Sequence, residues 1–161
     1  MQIHSEYTFN FDWETVVKGF WRKYPCKEFD FIKFNQVVDM ILDDNNKMQI
    51  KRIVYARKFT VWCLTLEQIT VDLENRSMEM QTKLLKSCKL YPNLAGDESI
   101  IYKAIDDQKT HYSVSYSDLI QKLLSNFQQT FITKLISQFN SSFRKGIEVV
   151  EARCRELQNN Q

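Results

Sequence analysis

The strongest constraint in this chain is one apolar stripe near its C-terminus. Ile120, Leu124, Phe127, Phe131, Leu135, Phe139, Phe143, Ile147, Val150, Cys154 and Leu157 recur every three or four residues, and no proline interrupts them. That spacing predicts a single long helix over 118–157, with Asp118 as its N-cap. At 1.5 Å of rise per residue such a helix is about 60 Å long. Gly146 alone weakens it, by roughly 1 kcal/mol relative to alanine. A helix with one apolar face must bury that face against something. A coiled-coil partner is one solution, but the aromatic bulk of the stripe fits a curved sheet better.

The preceding residues supply such a sheet. Residues 3–11 alternate loosely and are rich in Tyr and Phe, which predicts a strand. Asp12 follows as an N-cap, with Glu14 in the first turn. Val16, Val17, Phe20, Trp21 and Tyr24 then recur at helical spacing until Tyr24-Pro25 closes a helix over 13–23. Over 31–116 the pattern is one of strands. Val37 to Leu42, the turn cluster Asp43-Asp44-Asn45-Asn46, and Met48 to Val54 read as a hairpin. Further strands are predicted at 61–71, 78–90, 99–103 and 110–116, joined by polar turns. With no helix longer than two turns between them, they form an antiparallel meander. The fold class is therefore α+β. A curved antiparallel sheet of about six to seven strands grips the long C-terminal helix, one short helix follows the first strand, and residues 1–161 form a single domain.

Composition narrows function mainly by exclusion. Three glycines in 161 residues argue against P-loop and dinucleotide-binding architectures, which need glycine for close backbone approach. A net charge of +2, from 22 basic and 20 acidic residues, lacks the basic excess of a nucleic-acid binder. Cys26, Cys63, Cys88 and Cys154 contain no CxxC pair and have only His4 and His111 beside them. No metal site is expected, and the sequence leaves the redox state of the thiols open. Apolar runs of a few residues cannot span a bilayer, and the N-terminus has neither a secretory signal nor an Arg-rich presequence. The pairs Asp43-Asp44 and Asp106-Asp107 fall in predicted turns, where solvated acids are usual. No catalytic residues are expected, and no enzyme.

Four stretches give the chain a family resemblance. Phe11-Asp12-Trp13-Glu14-Thr15-Val16, Phe20-Trp21-Arg22-Lys23-Tyr24-Pro25, Glu67 through Val71-Asp72 to Ser77-Met78, and Asp97-Glu98-Ser99-Ile100-Ile101-Tyr102 stand in that order. Together they resemble the PRELI/MSF1 (Ups/Slowmo) domain proteins of the mitochondrial intermembrane space, across nearly the whole chain. The resemblance implies a START-like fold with a lipid cavity between sheet and helix. It further implies transfer of an anionic phospholipid, phosphatidic acid or phosphatidylserine, with peripheral membrane contact and a small twin-cysteine-motif helical partner. Beyond a bound phospholipid it implies no cofactor. Matched by position, the headgroup candidates are Lys23, Arg52 and Asn140, with Arg57 and Lys58 as weaker ones. The residues also permit plainer readings: Lys23 as a cation at a helix end, and Arg52 as half of a cross-strand pair.

Two departures stand out. Between Arg52 and Glu67 the chain is shorter than its relatives, where they carry a Pro- and Trp-containing lid loop. Their lysine one turn after the helix asparagine is also replaced, by Ser142 or Phe143. The resemblance therefore implies either a lipid-transfer protein or a lid-less accessory subunit of a mitochondrial inner-membrane complex.

Overall fold

The structure, a computed structural model, describes residues 3–58, 61–86, 98–116 and 129–160. Strand β1 (Ile3–Phe9) leads into helix α1 (Trp13–Trp21) and a short 3-10 turn at Lys27–Phe29. Five strands follow in sequence: β2 (Ile32–Leu42), β3 (Lys47–Lys58), β4 (Val61–Asp72), β5 (Ser77–Lys86) and β6 (Glu98–Ala104). Strand β7 (Thr110–Tyr116) completes the sheet, and helix α2 (Gln129–Asn159) closes the chain. All seven strands pair antiparallel in the order β1-β7-β6-β5-β4-β3-β2, a meander with β1 folded back onto β7. The curved sheet, the short early helix and the C-terminal helix are the α+β architecture that the sequence implies.

The local physics is plain. Asp12 caps α1, accepting from the Thr15 amide at 2.9 Å and the Thr15 hydroxyl at 2.6 Å. The helix ends at Trp21, two residues before the expected limit, and the Tyr24–Pro25 peptide that follows is cis. Strand β1 likewise stops at Phe9, because Phe11 and Asp12 turn the chain into the helix. Of the long helix expected over 118–157, residues 129–157 are helical, and 118–128 lie outside the described residues. The end of the strand expected at 78–90 lies outside them as well. No described helix is long and apolar enough to cross a membrane.

Gly19 brings the two helices together. A Cβ there would lie 3.0 Å from the Cys154 Sγ and 3.2 Å from the Val150 carbonyl oxygen, so glycine lets α2 lie this close without displacing either atom. The Cys154 thiol donates to the Thr15 carbonyl at 3.6 Å, and burial pushes its pKa up to about 12. Cys26, Cys63 and Cys154 carry no disulfide, and Cys88 lies outside the described residues.

Register divides the inward face of the sheet into rows. Residues directly opposite one another on paired strands share a face. One row runs Leu42, Met48, Val71, Met78, Tyr102, Tyr112 and Tyr7; the next runs Met40, Ile50, Ile69, Met80, Ile100 and Val114. Over β3 to β7 these two rows form much of the core, together with Phe9, Val16, Phe20 and Val150. Helix α2 seals them through rings: Phe143 stacks on Tyr112 at 5.4 Å, and Phe139 meets Tyr116 edge-on at 4.8 Å.

Candidate functional site

The third row breaks the apolar pattern. Arg52, Glu67, Thr82, Glu98 and Tyr116 lie opposite one another across five adjacent strands, on the face that is otherwise core. Arg52 is 2% exposed. Its Nε donates to the Glu67 Oε2 at 2.6 Å, and its Nη2 lies 2.5 Å from the same oxygen. The guanidinium sits 5.2 Å from the ring centroids of both Phe20 and Trp21, so α1 roofs the ion pair. At the other end of the row the Tyr116 hydroxyl donates to Glu98. Burial raises the pKa of that hydroxyl, and the charge of Glu98 raises it further.

Lys23 enters from the end of α1. Its Nζ lies 4.2 Å from the Phe20 ring centroid and 4.9 Å from that of Tyr24, and it has no ion-pair partner among the described residues. Burial pulls its pKa down to about 8, and the Arg52 charge adds to the fall. The nearby carboxylates of Glu67 and Glu98 oppose it. Lys23 and Arg52 thus share Phe20 as a neighbour while only Arg52 is charge-paired.

The remaining candidates are placed differently. Asn140 is exposed on α2, one position past the inward-facing Phe139, and so stands about 100° away from the stripe that meets the sheet. Arg57 is exposed, with its guanidinium 5.8 Å from the Trp62 ring, where it covers the outer part of the β3–β4 hairpin. Lys58 is the last residue of β3, opposite Val61, and its side chain lies outside the described residues. The structure therefore joins Lys23 to Arg52 and leaves Asn140 and Arg57 at the surface. Sequence reading did not single out Thr82, Glu98 or Glu67 as site residues. Their common signal is register: 52, 67, 82 and 98 are spaced by about one hairpin each.

Beside the polar row the inward face is bare. On β2, Val37 lies opposite Arg52, Met40 opposite Ile50, and Leu42 opposite Met48. Yet Met40 is 63% and Leu42 61% exposed. A small pocket of roughly 200 Å³ lies nearby, between the 3-10 turn and the start of β2, lined by Tyr24, Phe29 and Phe34 among others. Only residues 59–60 separate β3 from β4 in sequence. Among the described residues no cluster of His, Cys, Asp or Glu could hold a metal ion.

The architecture recurs in solved structures of very different sequence. The 18 kDa protein CC1736 from Caulobacter crescentus matches with a TM-score of 0.64 at 10% identity, covering 99% of each chain. The Zhui aromatase/cyclase from Streptomyces sp. R1128 matches at 0.58 and 9% identity, covering 98% of this chain and 94% of that one. A START superfamily protein from Mycobacterium smegmatis also gives 0.58 at 9% identity, covering 97% and 98%. At such identities these matches establish the fold, which is START-like. The sequence itself carries the narrower kinship, since the PRELI-like family pattern matches residues 14–161. The chain belongs to the PRELI-like family.

Proposed function

We propose that this protein binds a phospholipid on the inward face of its sheet, with the lipid phosphate at Lys23 and the acyl chains along the bare side of β2. The observation that carries this reading is the pairing of a half-buried lysine, without an ion-pair partner among the described residues, with an exposed apolar surface on the same face. An ammonium removed from water without a counter-ion is unfavourable, and a phosphate ester supplies that counter-ion. Exposed apolar residues are stabilised by covering them, at about 0.8 kcal/mol per buried methylene. Only an amphiphile meets both demands at once. Family membership supports the same class of cargo, that of phosphatidic acid and phosphatidylserine. It also supports action in the mitochondrial intermembrane space, with a small twin-cysteine helical protein as partner.

The test is lipid extraction from vesicles that contain phosphatidic acid or phosphatidylserine. Lys23→Ala is expected to lower bound lipid about tenfold, the effect of losing a charge-assisted hydrogen bond of roughly 1.4 kcal/mol or more. Unchanged extraction would make Lys23 a structural cation and remove the reading.

A second reading rests on a specific feature of β2. This edge strand is exposed and apolar on both faces, with Phe34 and Ile41 outward and Val37, Met40 and Leu42 inward. Such an edge invites another chain. In this reading the protein is an accessory subunit of a mitochondrial inner-membrane complex and keeps its lipid in place. Transfer of fluorescent phosphatidic acid between vesicles by the isolated chain separates the two: fast transfer supports the carrier, and none supports the subunit.

A further inference from the structure

Among the described residues, exposed apolar surface is concentrated on one strand. Phe34, Val37, Val38, Met40, Ile41 and Leu42, all on the edge strand β2, are 44–63% exposed. Together they present roughly 600 Å², the upper end of what a lone soluble chain leaves open in one patch. The other edge of the sheet is built differently. On β1 the exposed positions are His4, Glu6 and Thr8, and no large apolar side chain is exposed. Edge strands commonly carry charge that discourages pairing. Between Phe34 and Val38, β2 carries none.

The register of β2 fits it to a copy of itself. Val38 is an extra residue in the ladder to β3, which steps from Val37 opposite Arg52 to Asp39 opposite Lys51. It divides the strand into two regular halves, 34–37 and 39–42, and shifts the alternation of faces between them. Phe34, Gln36, Asp39 and Ile41 therefore belong to the outward face, and Asn35, Val37, Met40 and Leu42 to the inward one. Two such strands, antiparallel about a two-fold axis at the bulge, set each half against the other half. Phe34 then meets Ile41 of the second copy and Gln36 meets its Asp39 on the outward face, while Asn35 meets its Met40 on the inward face. Without the extra residue Phe34 and Ile41 would stand on opposite faces, and no two-fold pairing could join them. A bulge usually blunts an edge. Here it falls on the axis, where both copies share it.

Charge sets the direction. Lys33 stands at the start of β2, its Nζ 4.4 Å from the Trp62 ring centroid and without a carboxylate partner among the described residues. At the far end the Asp43 Oδ1 accepts from the amides of Asn45 and Lys47. Asp44 beside it is exposed and has no cation partner among the described residues. Antiparallel pairing brings Lys33 of each copy to the Asp43-Asp44 turn of the other, whereas parallel pairing would set like charges together. Two copies offer about 1,200 Å² of exposed apolar surface, the lower bound of a specific interface.

We propose that the protein forms a two-fold symmetric dimer through antiparallel pairing of β2 with β2 of a second copy, which continues the sheet across the axis. The second copy takes the place of the foreign chain in the accessory-subunit reading. Such an interface uses the same strand on both sides, so it closes on itself and no filament grows. Pairing is edge to edge, which leaves the inward side of β2 open to acyl chains. For an interface at the lower bound of size, a dissociation constant of about 1 µM is expected.

The experiment is sedimentation equilibrium of the full, lipid-free chain across that concentration range. A discrete species of twice the chain mass is expected, and no larger one. Val38→Lys and Ile41→Lys each place a charge on the pairing edge outside the core, and each is expected to weaken the dimer about a hundredfold. Thermal unfolding of dilute samples checks that both variants fold. Lys33→Asp alone and Asp44→Lys alone are each expected to weaken it about fivefold, and the two combined to restore it to within about twofold. A chain that stays monomeric at about 100 µM would overturn the proposal. So would a dimer that survives both lysine variants, or one that the combined charge exchange fails to restore. A monomer that floats with vesicles of phosphatidylcholine and cardiolipin, and no longer does so as Val38→Lys, would assign the strand to a membrane instead. Lipid extraction enters none of these outcomes, so the phospholipid reading stands or falls separately.

Discussion

Two cations a few ångströms from one phenylalanine ring behave quite differently. Arg52 has its countercharge in Glu67, so removing either partner strands the other in the interior, which typically costs about 3–5 kcal/mol. Lys23 has no such partner among the described residues, and burial, with the Arg52 charge adding to it, lowers its pKa from 10.5 to about 8. Between those pH values the unfolded chain binds more protons than the folded one, so the Lys23 contribution to stability improves as pH rises. The lipid-free Lys23→Met variant is therefore expected to be more stable than the unaltered chain at pH 7, with the gap closing between pH 8 and 10.5. Denaturant titrations across that range check it, and a gap independent of pH would mean that Lys23 is not desolvated. Lys23 stood out within the local run from Phe20 to Pro25, and Arg52 only by its position in the family resemblance. Thr82 offered no such signal, since a threonine on an inward strand face is ordinary until register sets carboxylates on both sides of it. Asn140 stands apart from Lys23 and Arg52 for a reason of helical phase. The stripe through Phe139, Phe143 and Ile147 fixes which side of α2 faces inward, and Asn140 lies outside it.

Among the elements, the helices and hairpins were legible because their signals are local: an N-cap at Asp12, turn residues at 43–46, period-two alternation in β5. Their end points and the close approach of α1 to α2 were not, because both depend on tertiary contact. The glycines show the difference. Gly19 and Gly146 both stand in helices, yet only the first faces a neighbour. Gly19→Ala forces its new methyl against the Val150 carbonyl and the Cys154 sulfur, and is expected to destabilise by about 1–3 kcal/mol. Gly146→Ala meets nothing within 4 Å and is expected to stabilise by up to about 1 kcal/mol. In a chain of this size each kilocalorie shifts the melting temperature by about 2–4 °C, so thermal unfolding resolves both signs.

Across the whole molecule, the sheet and the helices differ in mechanical character. β3 and β4 pair over twelve consecutive positions, from Lys47 opposite Asp72 to Lys58 opposite Val61, with no bulge. Among the described residues helix α2 is held differently, through its side chains: the ring contacts of Phe139 and Phe143, the Tyr7 hydroxyl donating to Glu151 at 2.7 Å, and the seam against α1. An unbroken ladder resists bending along its length, whereas side-chain contacts let a rod tilt without breaking a single backbone hydrogen bond. The long hairpin is thus the anvil of the molecule and the helix its hinged jaw, and widening the gap for a bulky guest is work done on the helix. Amide hydrogen exchange would record that division of labour. The β3–β4 amides are expected to exchange slowest and to ignore added lipid vesicles, while residues 139–150 of α2 gain protection when lipid is bound. Equal response from hairpin and helix would show that the jaws open symmetrically.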